Sequence, residues 1–208
     1  MKRALILDLD NTIYPVSSIA ADVFDRLFAL IDEEGDNLTP DDKTKAKDEL
    51  TRRPYHFVAE RYNFGDALKN KGNELLKAFS YDGPMYAFED YGSIRAIKLP
   101  KFLVTTGYSK LQWSKVKALG LEPDFAEIHI VDPEISTLTK KDVFADIMQR
   151  HNYRADEVLV IGDDPESEIK AAIELGIDTF LFDPAGKHHD AVSTHKAADL
   201  KEVLAILS

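Results

Sequence analysis

Hydrophobic and polar positions alternate between two patterns along the chain, with one long interruption. Short, almost unbroken apolar runs occupy residues 4–9, 101–105, 128–131, 158–162 and 179–182, and several end in polar or acidic residues. Leu-, Ile- and Val-rich runs of this length predict strands buried on both faces, as in the middle of a parallel sheet. Between them, apolar residues recur every three or four positions, the helical spacing. Ser109 opens one such stretch, which runs through Trp113, Val116 and Leu119 to a stop at Gly120. Others cover 84–97 from Pro84, 140–149, 165–175 closed by Gly176, and 199–207. Strands alternating with helices of this length predict a doubly wound α/β fold with a parallel sheet and right-handed crossovers.

The interruption covers residues 17–80, where no strand pattern occurs. A helix is predicted from a cap at Ser17 or Ser18 through Ile19, Val23, Phe24, Leu27, Phe28 and Ile31 to Gly35. Thr39-Pro40-Asp41-Asp42 announces a second: a cap, a proline at the first helical position, and acids at the positive end of the dipole. It runs to about Arg53, where Pro54 stops it, and two more helical stretches follow at 55–62 and 66–79. The expected organisation is an α/β core of residues 1–15 and 83–208, with a helical domain of residues 16–82 inserted after the first strand.

Charge and composition narrow the function. A formal net charge of −11 leaves no basic excess to neutralise a nucleic-acid polymer or an anionic membrane surface. An acidic chain binds a small phosphate only through a local positive site such as a metal, a lysine or helix N-termini. There are no cysteines, so disulfides, zinc–thiolate sites and cysteine nucleophiles are excluded. No apolar stretch approaches the roughly 20 residues that span a bilayer. Met1-Lys2-Arg3 and the following apolar run faintly resemble a signal peptide, but Asp8 cuts the run short. The expectation is a cytoplasmic protein, monomer or homodimer.

The candidate chemistry gathers at the carboxyl ends of the strands, where open parallel sheets bind ligands. The first strand leads into Asp8 and Asp10, two apart, then Thr12. Two close carboxylates repel each other and are costly to desolvate; a hard divalent cation offsets both, and Mg²⁺ suits one or two carboxylates together with a phosphate. The second strand ends in Thr105-Thr106-Gly107, a later helix opens with Lys140-Lys141, and the fourth strand ends in Gly162-Asp163-Asp164 with Glu168 one helical turn on.

In this order the groups resemble the haloacid dehalogenase superfamily over nearly the whole chain. Its first motif, D-x-D-x-[TV], matches Asp8-Leu9-Asp10-Asn11-Thr12. The second, an apolar strand ending in Thr or Ser, matches Phe102-Leu103-Val104-Thr105. The third, a lysine before a helix, matches Lys140. The fourth, G-D with a second acid, matches Gly162-Asp163 and Glu168. The resemblance implies that Asp8 is the nucleophile, forming an aspartyl-phosphate, and that Asp10 is the general acid and then base. It implies that Thr12 orients Asp10 by a hydrogen bond. The Thr105 hydroxyl and the backbone N–H groups of Thr106 and Gly107 would bind the phosphoryl group. Lys140 would neutralise charge. Mg²⁺ would be held by Asp8, the Asp10 carbonyl, Asp163 and Glu168, with Asp164 as an alternative second acid. Dehalogenases of the family lack the second aspartate, so Asp10 points to phosphoryl transfer.

The sequence departs from the pattern at Glu168, where Asp is more usual, and at Lys141, where proline often follows the lysine. The catalytic lysine is therefore Lys140 or Lys141, with Phe144 one helical turn on favouring Lys140. The insert lies where the first subclass carries a helical cap, and Arg52, Arg53, His56 and Arg61 are its polar candidates for substrate choice. The opening D-L-D-N-T-I-Y-P also resembles pyrimidine 5′-nucleotidase-like members. The expected activity is Mg²⁺-dependent hydrolysis of a small phosphorylated metabolite, a nucleotide or sugar phosphate. The alternatives are a phosphomutase and an inactive binding protein of the same fold. A signalling receiver domain is disfavoured, because its phosphorylated Asp lies on the third strand and it carries no helical insert.

Overall fold

The computed structural model describes residues 1–207, with residues 20–22 described by their backbone alone. Its sheet is built from β1 (Ala4–Leu7), β2 (Lys101–Thr106), β3 (Glu127–Val131), β4 (Val158–Gly162), β5 (Asp178–Phe182) and β6 (His195–Ala197). The strand order is β3-β2-β1-β4-β5-β6, and every pairing is parallel. The chain winds outward from β1 to β3, then returns to the other side of β1 for β4. The switch point of the doubly wound fold therefore lies between β1 and β4, with Leu7 opposite Ile161.

The apolar runs are unbroken because both sheet faces are covered. Leu5, Leu7, Leu103, Leu159, Ile161, Phe180 and Phe182 point to one core; Ala4, Ile6, Phe102, Val104, Val158 and Val160 point to the other. Helices α7 (Lys140–His151) and α8 (Glu168–Glu174) cover the second face through Val143, Phe144, Ile147 and Ala172.

Between β1 and β2 stand α1 (Ala20–Glu34), α2 (Pro40–Leu50), α3 (Tyr55–Arg61), α4 (Asp66–Ala78) and α5 (Tyr91–Ala96). The first four pack on one another and, through α4, on α6 (Ser109–Ala118). The chain closes with α9 (Val203–Leu207) after a 3-10 turn at Leu200–Glu202, a shorter helix than expected. Thr39 caps α2 by accepting from the Asp42 N–H, with Pro40 at the first position. That helix stops at Leu50, and Arg52 and Arg53 continue only as a turn on the Glu49 carbonyl.

Other expectations are corrected. Neither Ser17 nor Ser18 caps α1: Pro15 starts a 3-10 turn at Val16–Ser18, and the Ser18 hydroxyl donates back to the Pro15 carbonyl at 2.7 Å. Pro84 does not begin a helix. Residues 84–90 form the return path to the core, held where the Phe88 N–H donates to the Ile13 carbonyl at 2.8 Å and its ring meets Phe182 edge-on. Only α5 is helical there. α8 starts at Glu168 rather than Pro165, because the Asp164 carboxylate turns the chain by accepting from the Glu166 N–H. Trp113 is exposed; the buried side of α6 is Leu111, Gln112, Lys115 and Val116. β6 escaped prediction because it is a three-residue polar edge strand.

Candidate active site

The loop after β1 carries both aspartates and is tightly wound. Asn11 takes a left-handed backbone (φ 57°), which asparagine tolerates better than most residues. Its side-chain oxygen accepts from the Val16 N–H at 3.1 Å, and the Ile13 N–H donates to the Leu9 carbonyl at 2.9 Å. The turn sends Asp8 and Asp10 into two different environments.

Asp8 faces β4. Its Oδ1 receives the Lys140 Nζ at 2.5 Å, and the same ammonium donates to Glu168 Oε2 at 2.7 Å. Lys140 is aimed by a capping box at the start of α7, in which Thr139 and Asp142 exchange side-chain and backbone hydrogen bonds. Lys141 points away to an exposed pair with Glu174. Glu168 is 1% exposed, and its other oxygen accepts from the Asp164 N–H at 2.7 Å. Gly162 makes room for it: a Cβ there would lie 2.2 Å from Glu168 Cγ.

Asp163 completes this side. Among the described residues, Asp8, Asp163 and Glu168 form the one group of carboxylates whose oxygens lie close enough, within 4.8 Å, to share a cation. Three carboxylates face one lysine. Burial first, then Glu168 and Asp10, push Asp8 up to about 7 against the pull of Lys140. Burial, Glu168, Asp8 and Asp164 likewise hold Asp163 well above the usual carboxylate range. An oxygen-only donor set with surplus negative charge fits a hard divalent cation such as Mg²⁺.

Asp10 faces α6 instead. Its Oδ1 accepts from Lys115 Nζ at 2.7 Å and from the Tyr14 hydroxyl, and its Oδ2 accepts from Gln112 Nε2 at 2.7 Å. Burial pushes this carboxyl up, but the Lys115 charge and the three hydrogen bonds outweigh it and hold Asp10 below its ordinary value. Tyr14 is driven well above its usual range by burial and the neighbouring Asp10 charge, so its hydroxyl keeps its proton and donates.

Two anticipated contacts are absent from this arrangement. Thr12 does not bond Asp10: it is fully buried, and its hydroxyl donates to Asp163 Oδ1 at 3.3 Å, beneath the pocket rather than lining it. The Gly107 N–H is not turned to the pocket either, since it donates to the Val131 carbonyl at 3.1 Å and extends the β2–β3 ladder. Thr105, Thr106 and Gly107 do line the cavity with Asp8, Asp10, Lys140, Asp163 and Glu168. The Thr105 hydroxyl accepts from Gln112 Nε2 at 2.6 Å, which leaves its own hydrogen to donate.

The inserted helices supply the opposite wall, with Phe24, Leu50, Tyr55 and Leu76 giving an apolar surface. Arg52, Arg53 and His56 lie at its edge; Arg61 is turned away and pairs with Glu49 at 2.8 Å. Arg53 stacks over Phe57 and reaches across to Glu166 at 3.1 Å and Asp164 at 3.5 Å, tying the insert to the loop after β4. The cavity encloses about 110 Å³ and opens to solvent.

Sequence reasoning missed Tyr14, Gln112, Lys115 and the Arg53 bridge. A signal for two of them existed: Gln112 and Lys115 lie three apart among Leu111 and Val116, polar residues inside a buried helix face.

No helix among the described residues is long and apolar enough to cross a membrane. Comparison with known proteins agrees with the geometry. The HAD-hydrolase YfnB of Bacillus subtilis is 23% identical over 228 aligned positions, covering 99% of this chain and 95% of that protein. The magnesium-bound crystal structure of YfnB superposes with a TM-score of 0.67, covering 99% of this chain and 98% of the other. The glyceraldehyde 3-phosphate phosphatase of Methanopyrus kandleri is 22% identical, covering 91% of this chain and 87% of that protein. A HAD phosphatase from Thermococcus onnurineus, 18% identical, superposes with a TM-score of 0.64 over 100% of this chain and 98% of its own. The model of the haloacid dehalogenase-like hydrolases matches residues 2–176, and the chain belongs to that family.

Proposed function

We propose that this hydrolase is a Mg²⁺-dependent phosphatase that cleaves a small phosphomonoester through an aspartyl-phosphate on Asp8. The observation that carries the proposal is the separation of the two aspartates. Asp8 sits against Lys140 in a cluster with surplus carboxylates, and Asp10 is held apart by three donors. Asp8 within the group that would hold a cation and Asp10 outside it, both lining one pocket, suit a nucleophile and a separate proton carrier. The phosphatases among the relatives and structural neighbours support the same chemistry.

Asp8, Asp163 and Glu168, with the Asp10 backbone carbonyl, would hold the ion; bound, it supplies charge stabilisation to the nucleophile and the phosphoryl oxygens. In the first step an Asp8 oxygen attacks phosphorus, the bond from phosphorus to the ester oxygen breaks, and the proton that the phosphate monoanion brings in passes by way of the Asp10 carboxylate to the departing oxygen. In the second step water attacks phosphorus. Asp10 takes the proton of that water, and the bond from Asp8 to phosphorus breaks. Asp10 then passes that proton to the released phosphate, so hydrolysis leaves both aspartates as they began. Lys140 and the Thr105 hydroxyl balance the charge of the phosphoryl group throughout. The helices of residues 16–82 act as a cap that sets substrate size and excludes water. The proposed substrates are sugar phosphates and nucleotides.

The test is phosphate release from 4-nitrophenyl phosphate and from a panel of sugar phosphates and nucleotides, with Mg²⁺, with chelator, and with Asp8→Asn. Mg²⁺-dependent release that vanishes in Asp8→Asn is expected. Release that survives the substitution would overturn the mechanism, and no release from any ester would overturn the function.

A further inference from the structure

We propose that Lys115, Gln112 and Tyr14 are the positioning residues that aim the Asp10 carboxylate at the leaving oxygen, the task that the family resemblance gives to Thr12. The inference rests on the phosphatase reading above and deepens it.

The contacts are specific. Asp10 Oδ1 takes Lys115 Nζ at 2.7 Å and the Tyr14 hydroxyl, and Oδ2 takes Gln112 Nε2 at 2.7 Å. Donors on both oxygens fix both side-chain torsions of Asp10. None of the three donates to the Asp8–Lys140–Glu168 cluster, and Asp10 is the acid to which all three donate. Thr12 is committed to Asp163.

The burial argues the same way. Gln112 is 2% exposed and Lys115 6%, both on the inner side of α6. A lysine and an amide on a core-facing helix side are costly unless paired, and Asp10 is what they pair with. The Lys115 ammonium also lies 5.9 Å from the centre of the Tyr14 ring, so the donors pack on one another. A hydrophobic residue at 112 or 115 would serve packing better; polar groups there are explained by a carboxylate that must be held.

Gln112 does more than hold Asp10. An amide NH₂ has two hydrogens, and here one goes to Asp10 Oδ2 and the other to Thr105 Oγ1 at 2.6 Å. The phosphoryl-binding hydroxyl and the proton carrier are thus held by one side chain. Gly107 protects that arrangement: its φ of +152° disfavours a side chain, and a Cβ there would lie 3.1 Å from Gln112 Cγ and Cδ. Misplacement of a reacting group by about 1 Å costs on the order of 100-fold in rate, so restraint of this kind has kinetic value.

The experiment compares phenyl phosphate with 4-nitrophenyl phosphate, esters of nearly the same size. Phenol leaves poorly and needs the Asp10 proton; 4-nitrophenol leaves well and needs it much less. In Lys115→Met the ratio of kcat on phenyl to kcat on 4-nitrophenyl phosphate is expected to fall about five-fold or more, with KM for both changed less than about two-fold. Tyr14→Phe keeps the packing, guards against a Lys115→Met that fails to fold, and is expected to shift the ratio the same way. On an Asp10→Asn background neither substitution should lower kcat further, because each acts through Asp10. Equal losses on the two esters, or full losses repeated in the Asp10→Asn background, would overturn the proposal while leaving the phosphatase reading intact. A wild-type protein that releases phosphate from neither ester in Mg²⁺ would overturn both.

Discussion

Gly162→Ala tests whether the buried Glu168 organises the site. Gly162 ends β4, and its φ is not in the left-handed region, so alanine meets no backbone strain. The effect is steric. The new methyl group would lie 2.2 Å from Glu168 Cγ and Oε1 and 2.5 Å from Cδ, where ordinary contact begins near 3.4 Å. Glu168 must retreat by about 1 Å, and its carboxylate cannot do so while donors hold both oxygens: Lys140 Nζ on Oε2 and the Asp164 N–H on Oε1, each at 2.7 Å. Hydrogen bonds to charged groups contribute about 1.5–3 kcal/mol each, and weakening two of them costs about 2–4 kcal/mol. Alanine returns about 0.4–1 kcal/mol by restricting the unfolded chain. A net loss of about 2–3 kcal/mol is expected, which for a chain of this length lowers Tm by about 4–12 °C. Thermal melts followed by circular dichroism read it directly. Adding Glu168→Asp, one methylene shorter, relieves the clash, so the pair should be less destabilised than the two single changes summed. Gly92→Ala is the control, since a Cβ there meets nothing within 4 Å and α5 gains helix propensity. A Gly162→Ala protein as stable as wild type, or strict additivity with Glu168→Asp, would refute the packing argument.

Three further outcomes follow from the electrostatics. Mg²⁺ at about 100 times its Kd should stabilise the protein by about 2.7 kcal/mol and raise Tm by about 5–10 °C, and Asp163→Asn should abolish most of that gain in the same melts. Without the ion, Asp8 is held up to about 7, so the folded state binds more protons than the unfolded one. Stability should be highest below about pH 4 as far as this group decides it, and fall as pH rises through 7; Mg²⁺ should flatten that slope, and a metal-free protein with no such slope would contradict the crowding described here. Glu127 behaves oppositely: hydrogen bonds from Arg150 outweigh its burial and, with His151 and His129, hold it far below its usual value. Its contribution is present above about pH 4.5 and lost as pH falls further, so the Tm gap between wild type and Glu127→Gln should be widest near neutrality and shrink in acid; a gap constant with pH would refute it.

The sheet was legible because its strands are buried on both faces, and continuous apolar runs are what such burial requires. The placing of the acidic groups at the strands' carboxyl ends was legible too, whereas the strand order and the switch point between β1 and β4 come from the structure. β6 was not legible, because a three-residue polar edge carries no periodic signal. The absent helix at 84–90 shows tertiary contact overriding a local start signal. Proline favours the first turn of a helix, but Phe88 is engaged by Ile13 and Phe182 from distant parts of the chain. Between Lys140 and Lys141 the sequence favours Lys140 through the apolar Phe144 one helical turn on; in the structure Phe144 is buried and the capping box of α7 sets Lys140 on Asp8 and Lys141 on Glu174.

The second aspartate shows most clearly where motif reading stops. A motif names the residues that carry chemistry and is silent on those that hold them. Thr12 lies two residues from Asp10, which makes it the natural local partner, yet the left-handed backbone at Asn11 separates them and turns the hydroxyl to Asp163. The donors that do hold Asp10 lie more than 100 residues away on α6, except Tyr14, four residues on. Trp113 obscured them by suggesting an apolar stripe rotated about one residue from the true buried side. Had the stripe been drawn through Leu111 and Val116 alone, Gln112 and Lys115 would have stood out as polar groups facing a core. A buried polar group needs a partner, and a site with several carboxylates is where donors are needed. On this physical ground the two residues belong with the active site, although no motif contains them.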